Sequence, residues 1–204
     1  TVLLKGVDEH GFFFFTNFDS RKGQAVDKNP AVSGVFGWYS MYRQVLIEGV
    51  AKTVPGEDSD EYFHSRPQES QVAAWSSQQS QPIENRDALD AQFHAALERF
   101  KADEVPRPDY WGGYRIVPTR IEFWKGRSNR MHDRIAFSRT LDAAGAPSQW
   151  KIQRLSRLLK TWPSLRPMMH HCYSIRGYHQ KVYRPLVLVN LLSVSSLQSF
   201  VSGP

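Results

Sequence analysis

Three groups of side chains in this sequence have the types and spacing to do chemistry. In the first, Ser20-Arg21-Lys22-Gly23 follows an aromatic run and can open a helix. Free N–H groups at a helix start, beside Arg and Lys, suit a phosphate; two solvated cations would look the same. In the second, Tyr62, Arg66 and Ser70 recur every four residues. If the helical direction persists, hydroxyl, guanidinium and hydroxyl line one face. That set fits a phosphate monoester, with the guanidinium forking two oxygens, and it also fits an ordinary amphipathic face. In the third, Arg130, His132 and Arg134 alternate a few residues after Trp124. On an extended segment they share a face, where they repel one another unless a polar or anionic ligand sits among them. The indole beside them favours a flat ligand.

Other chemistry is absent or weak. No GxGxxG, GxxxxGK[ST], GxSxG, HExxH or CxxC occurs, which removes the common nucleotide, hydrolase and zinc signatures. His64 and His94 need no role beyond structure or solvation. His170-His171 with Cys172 is one cluster in an irregular stretch, too little to expect a metal centre.

The elements that must hold these groups read as follows. Thr1–Lys5 and Phe12–Thr16 are strands joined by Asp8-Glu9-His10-Gly11, a hairpin signal. A helix runs from a Ser20 cap to Asn29 and stops at Pro30. Val32–Trp38 and Gln44–Val54 are strands, and short helices follow at Asp58–Ser65 and Pro67–Trp75. Leu89, Phe93, Leu97 and Phe100 mark a longer helix within 84–102. Val105-Pro106-Arg107-Pro108 reads as a stiff linker before strands at Tyr114–Val117, Arg120–Trp124, Arg134–Ser138 and Trp150–Leu155. Short connections between neighbouring strands predict an α+β fold built on a mostly antiparallel barrel, not a doubly wound parallel sheet.

Composition sets the outer limits. The 204 residues are 41% hydrophobic and 23% charged, ordinary for a soluble globular chain. The single Cys172 excludes an internal disulfide. The net charge of +6 is unevenly placed: residues 1–150 carry 18 Lys and Arg against 20 Asp and Glu, whereas 151–204 carry 8 basic residues and no acid. Charge alone, without an aromatic platform, does not make a nucleic-acid module. Leu186 to Val201 is too short and too polar for a membrane span. We therefore expect one domain over 1–156 and a poorly ordered tail over 157–204, no nucleic acid or membrane partner, and a cytoplasmic location.

The three groups, in order, resemble the pyridoxamine/pyridoxine 5′-phosphate oxidase family. The matching stretches are VLLKG (2–6), FFTNFDSRKG (14–23), RQVLIEG (43–49), YFHSRPQESQ (62–71), QQS (78–80), EVPRPDYWGG (104–113), IEFWKGRSNRMHDR (121–134) and WKIQRLS (150–156). The resemblance implies a split β-barrel homodimer with FMN between the subunits. By motif position, Lys5, Phe15, Thr16, Arg21, Lys22, Gln44, Gln79, Ser80, Trp124 and Arg134 would contact FMN, with Val2, Leu3 and Leu4 lining it through their backbone. Lys5, Tyr62, Arg66 and Ser70 would hold the substrate phosphate, and Arg130 and His132 would face the pyridine ring as the catalytic pair.

The reaction implied is oxidation of pyridoxine or pyridoxamine 5′-phosphate to pyridoxal 5′-phosphate. Hydride leaves C4′ for N5 of FMN, and O2 regenerates the flavin with release of H2O2; the amine substrate passes through an imine that water hydrolyses to ammonia. The family pattern places an arginine and an earlier strand before Val2–Lys5, and ends in an RLxP-like sequence where this chain has Arg157. The reading thus expects a domain without the family's first strand, and the alternative of a non-catalytic relative that binds FMN or pyridoxal phosphate.

Overall fold

In the computed structural model, residues 1–101 and 103–156 are described, together with the backbone of 189–190. The strands are β1 (Gly6–Asp8), β2 (Gly11–Asn17), β3 (Ala31–Trp38), β4 (Arg43–Thr53), β5 (Trp111–Lys125), β6 (Asp133–Ser138), β7 (Lys151–Arg154) and β8 (Val189–Asn190). The helices are α1 (Arg21–Lys28), α2 (Gly56–His64), α3 (Gln68–Ser76) and α4 (Arg86–Arg99). The sheet runs β1-β2-β5-β4-β3-β8, with β6 on β5 and β7 on β6. Every pairing is antiparallel except the two-residue β8 beside β3. The α+β, mostly antiparallel architecture is the one expected.

β5 organises the molecule. One of its edges pairs with β4 from Tyr114 to Lys125. The other edge is divided: β2 takes Trp111–Ile116 and β6 takes Arg120–Lys125. Pro118 falls in the gap between those partners, where its missing N–H leaves no ladder bond unmade, and a register shift at Glu48/Gly49 absorbs it on the β4 side. The two strands expected at Tyr114–Val117 and Arg120–Trp124 are therefore one.

Alternation along β2, β3 and β4 sends Phe12, Phe14, Val32, Phe36, Val45 and Ile47 into one core, closed by Val26 of α1. A second core beneath the helices holds Phe63, Val72, Ala96, Phe100, Val105 and Trp111. Phe93 and Leu97 pack against it from the stripe read in the sequence. Val105-Pro106-Arg107-Pro108 is more than a linker: Val105 is 2% exposed, and Arg107 donates to Asp60 at 2.6 Å and to the Trp111 carbonyl at 2.7 Å. Residues 1–5 form no regular strand, contrary to expectation. Lys5 N–H still donates to the Phe13 carbonyl at 2.9 Å, and Val2 and Leu4 are buried while Leu3 and Lys5 are exposed.

The tail expected to be poorly ordered, and its His170-His171-Cys172 cluster, lie outside the described residues apart from β8. Among the described residues no helix is long and apolar enough to cross a membrane.

Candidate active site

The start of α1 is fixed by sequence. Ser20 is fully buried and caps the helix, its Oγ accepting from Gly23 N–H at 3.3 Å. Gly23 lets the first turn press onto the Phe18 backbone, since a Cβ there would lie 2.0 Å from the Phe18 carbonyl oxygen. This packing turns Lys22 inward. Its Nζ donates to Gln79 Oε1 at 3.0 Å and to Ser20 Oγ at 3.2 Å, and Thr16 Oγ1 reaches the same Gln79 oxygen at 3.4 Å. Burial lowers the Lys22 pKa from its ordinary value.

Lys22 borders a cleft of about 430 Å³, a size that suits a small ligand. Val2, Leu3, Lys5, Phe15, Thr16, Tyr62, Arg66 and Gln79 also line it. Phe15 stacks on Tyr62 with centroids 4.1 Å apart and on Trp111 at 5.5 Å, and Lys5 Nζ lies 5.5 Å from the Tyr62 ring centre. Arg66 follows the end of α2 and lies over Trp111 at 4.9 Å and Phe63 at 5.5 Å. Its Nη1 is buried and has no hydrogen-bond partner among the described residues. Burial lowers the Arg66 pKa, opposed by the Tyr62 phenol. Among the described residues no carboxylate lines the cleft, and Lys5, Lys22 and Arg66 all border it.

Several expected residues stand elsewhere. Leu4 points into the first core. Arg21 and Ser80 are exposed, Ser70 is half-buried, and none lines the cleft. The break at Ser65–Pro67 between α2 and α3 changes the helix direction, so the four-residue spacing from Tyr62 to Arg66 does not carry to Ser70. Gln44, Trp124, Arg130, His132 and Arg134 lie at the other end of β5 and also do not line it. Trp111 and Trp124 are thirteen positions apart on one strand, at most about 43 Å of extended chain.

That second group has its own order. Register places Gln44, Trp124 and Arg134 side by side on β4, β5 and β6. His132 packs against the indole with centroids 4.8 Å apart, and its Nδ1 accepts from Arg127 N–H at 3.1 Å. Asn129 and Arg130 both hold positive φ, 56° and 59°, a costly turn for two side-chain-bearing residues. Asn17, Trp111 and Ser77 line the cleft without having been singled out in the sequence. The Trp111-Gly112-Gly113 step was the available signal for Trp111.

Comparison with known proteins decides the family. A family model described as pyridoxamine 5′-phosphate oxidase matches residues 1–100, and one described as the pyridoxine 5′-phosphate oxidase C-terminal dimerisation region matches 111–156. The pyridoxine/pyridoxamine 5′-phosphate oxidase of Burkholderia lata is 51% identical over 155 residues, 76% of this chain and 71% of that protein. This chain belongs to the pyridoxine/pyridoxamine 5′-phosphate oxidase family. The protein of the same name from Nostoc punctiforme is 47% identical over 155 residues, covering 76% of this chain and 70% of that one.

Solved structures of related proteins share the fold. PhzG from Burkholderia lata, in complex with tetrahydrophenazine-1-carboxylic acid, superimposes with a TM-score of 0.68 at 28% identity, over 76% of this chain and 73% of its own. A pyridoxamine 5′-phosphate oxidase-related, FMN-binding protein from Nostoc punctiforme shares the fold at a TM-score of 0.57 and 11% identity, over 76% of this chain and 78% of its own. The matched dimerisation region covers the whole of β5, from Trp111 to Lys125, together with β6 and β7.

Proposed function

We propose that this chain is an FMN-dependent oxidase that converts pyridoxine or pyridoxamine 5′-phosphate to pyridoxal 5′-phosphate, working as a homodimer. The observation that carries the reading is the cleft with three cations, no carboxylate and a buried, unpartnered Arg66 Nη1. Such a donor set fits phosphate, and both FMN and the substrate bear one. Lys22, with Arg21 beside it, serves the flavin phosphate, and Thr16, Gln79 and Ser80 add neutral donors. Phe15 and the backbone of Val2, Leu3 and Leu4 flank the ring. Tyr62 and Arg66 take the substrate phosphate, and Lys5 stands between the two anions.

The row Gln44–Trp124–Arg134, with Arg130 and His132, does not line the same chain's cleft. An isologous dimer brings each protomer's row to its partner's cleft and completes two equal sites. FMN, when bound, supplies the two-electron acceptor that O2 regenerates with release of H2O2. The protein's part is to orient. Arg66 holds the substrate by its phosphate, and Arg130 fixes the ring. His132, whose Nδ1 is occupied as an acceptor, offers Nε2–H to a ring substituent.

Purified dimer, loaded with FMN, should release H2O2 with either 5′-phosphate, and Arg21→Ala/Lys22→Ala should weaken FMN binding at least 100-fold, given about 1.5–3 kcal/mol per charge-assisted bond. Bound flavin without turnover would make the chain a non-catalytic relative. Turnover of tetrahydrophenazine-1-carboxylic acid alone would align it with its PhzG neighbour instead.

A further inference from the structure

Two positions before Trp124 on β5, and so on the same face of the sheet, stands Glu122. It is 5% exposed, and both carboxylate oxygens are engaged. Oε1 accepts from Arg134 Nε at 2.6 Å, and Oε2 accepts from Arg134 Nη2 at 3.0 Å and from Arg120 Nη2. Arg120 continues to Glu48 Oε1 at 3.2 Å through its Nη1. Burial pushes the Glu122 carboxyl up, but the hydrogen bonds from Arg134 and Arg120 outweigh it and hold the group below the ordinary carboxylate range.

Stability alone is a poor reason for this arrangement. Replacing a buried ion pair by apolar side chains of similar volume is often neutral or stabilising, and Leu46 and Ala136, which flank Glu122 in register, show that the row accepts apolar residues. What the pairing supplies is geometry and charge balance. A two-point grip on Nε and Nη2 fixes the guanidinium plane. Nη1 lies outside that grip and, among the described residues, holds a long 3.5 Å bond to the Ser156 carbonyl. Glu48, Arg120, Glu122 and Arg134 together carry no net charge, in contrast to the cleft.

We propose that Glu122 is a positioning residue for the flavin: by gripping Arg134 it fixes the donor edge, and cancels the charge, that the Gln44–Trp124–Arg134 row presents to the uncharged part of the bound ring system. The proposal rests on the FMN reading given above. It separates two kinds of recognition, with uncompensated cations for phosphates at one end of β5 and neutralised donors for a flat ring at the other.

The test uses the full-length dimer and compares Glu122→Gln, Arg134→Lys and Glu122→Gln/Arg134→Gln with the wild type. Flavin affinity is read by fluorescence titration, midpoint potential by spectroelectrochemistry, and assembly by sedimentation. Glu122→Gln should weaken FMN binding about tenfold and move the midpoint potential of the bound flavin to more positive values, because Arg134, no longer balanced, favours the extra charge of the reduced ring. The double variant should return the potential toward wild type. Arg134→Lys keeps the charge balance but loses the fork, so it should weaken binding with little change in potential. A Glu122→Gln dimer with wild-type affinity and potential overturns the proposal and leaves the FMN reading intact. If Glu122→Gln does not assemble, Arg134→Lys decides: wild-type affinity there overturns the proposal, and weakened binding at an unmoved potential supports it. A wild-type dimer that binds no FMN overturns the underlying reading, and this proposal with it.

Discussion

Arg66 lies over the Trp111 indole, 4.9 Å from the ring centroid, and its buried Nη1 has no acceptor among the described residues. An unmet buried donor costs about 1–3 kcal/mol, which a bound phosphate would recover. Arg66 should hold the phosphate equally before and during reaction, so removing it removes uniform binding. Arg66→Ala should raise KM for the 5′-phosphates about 10- to 100-fold and leave kcat nearly unchanged, in steady-state kinetics on FMN-saturated protein.

Arg130 should behave in the opposite way. It sits at φ 59° in the turn after Trp124, and its proposed task is to fix the ring whose carbon is oxidised. Displacing a reacting atom by about 1 Å can cost on the order of 100-fold. Arg130→Ala should therefore lower kcat by about that factor with a small change in KM. If the kinetics of the two variants were exchanged, the roles of the two groups would be exchanged too.

Gly23 is where the first turn of α1 packs on the Phe18 backbone. An alanine there meets the Phe18 carbonyl oxygen at 2.0 Å, a backbone atom that cannot swing aside. Gly23→Ala should destabilise the fold by about 1–3 kcal/mol or more and move Lys22 off Gln79. Thermal unfolding should show a lower midpoint, and flavin retention on gel filtration should fall with it.

Acid should loosen the Glu122 cluster. Its carboxyl titrates below the ordinary range in the folded chain, because hydrogen bonds from Arg134 and Arg120 override the effect of burial. The stability it contributes is therefore present above the unfolded carboxylate value and is lost as pH falls through the lower folded value. Urea midpoints should decline below about pH 4, and Glu122→Gln should flatten that decline. It should not abolish it, since Asp60 and Asp133 are held low by Arg107 and Arg127.

Local rules in the sequence carried a good part of this architecture. The Ser20 cap, the Asp8–Gly11 hairpin and the stripe of α4 are short-range signals, and the structure keeps them. Lys22 could be picked out because a cap fixes its neighbourhood. Pro118 looked like a strand break because its consequence depends on which partners pair at each side, a matter of tertiary register. Ser70 was grouped with Arg66 by a spacing that holds only if a helix continues through Pro67. Glu122 was a lone acid in the run Ile-Glu-Phe-Trp, and its meaning needed Arg134, which is brought beside it only when β6 pairs with β5. Neighbours in sequence were legible; neighbours across strands were not.

One strand carries Trp111 at its start and Trp124 near its end, so in the dimer proposed above each chain would own half of two different sites. Chains carrying Lys22→Ala and chains carrying Arg134→Ala, each impaired as pure dimers, would assemble on mixing into hybrids with one wholly wild-type site and one doubly altered site. Such subunit complementation would restore up to half of the activity from two defective parents. A heterozygous cell would then keep activity that neither allele supports alone.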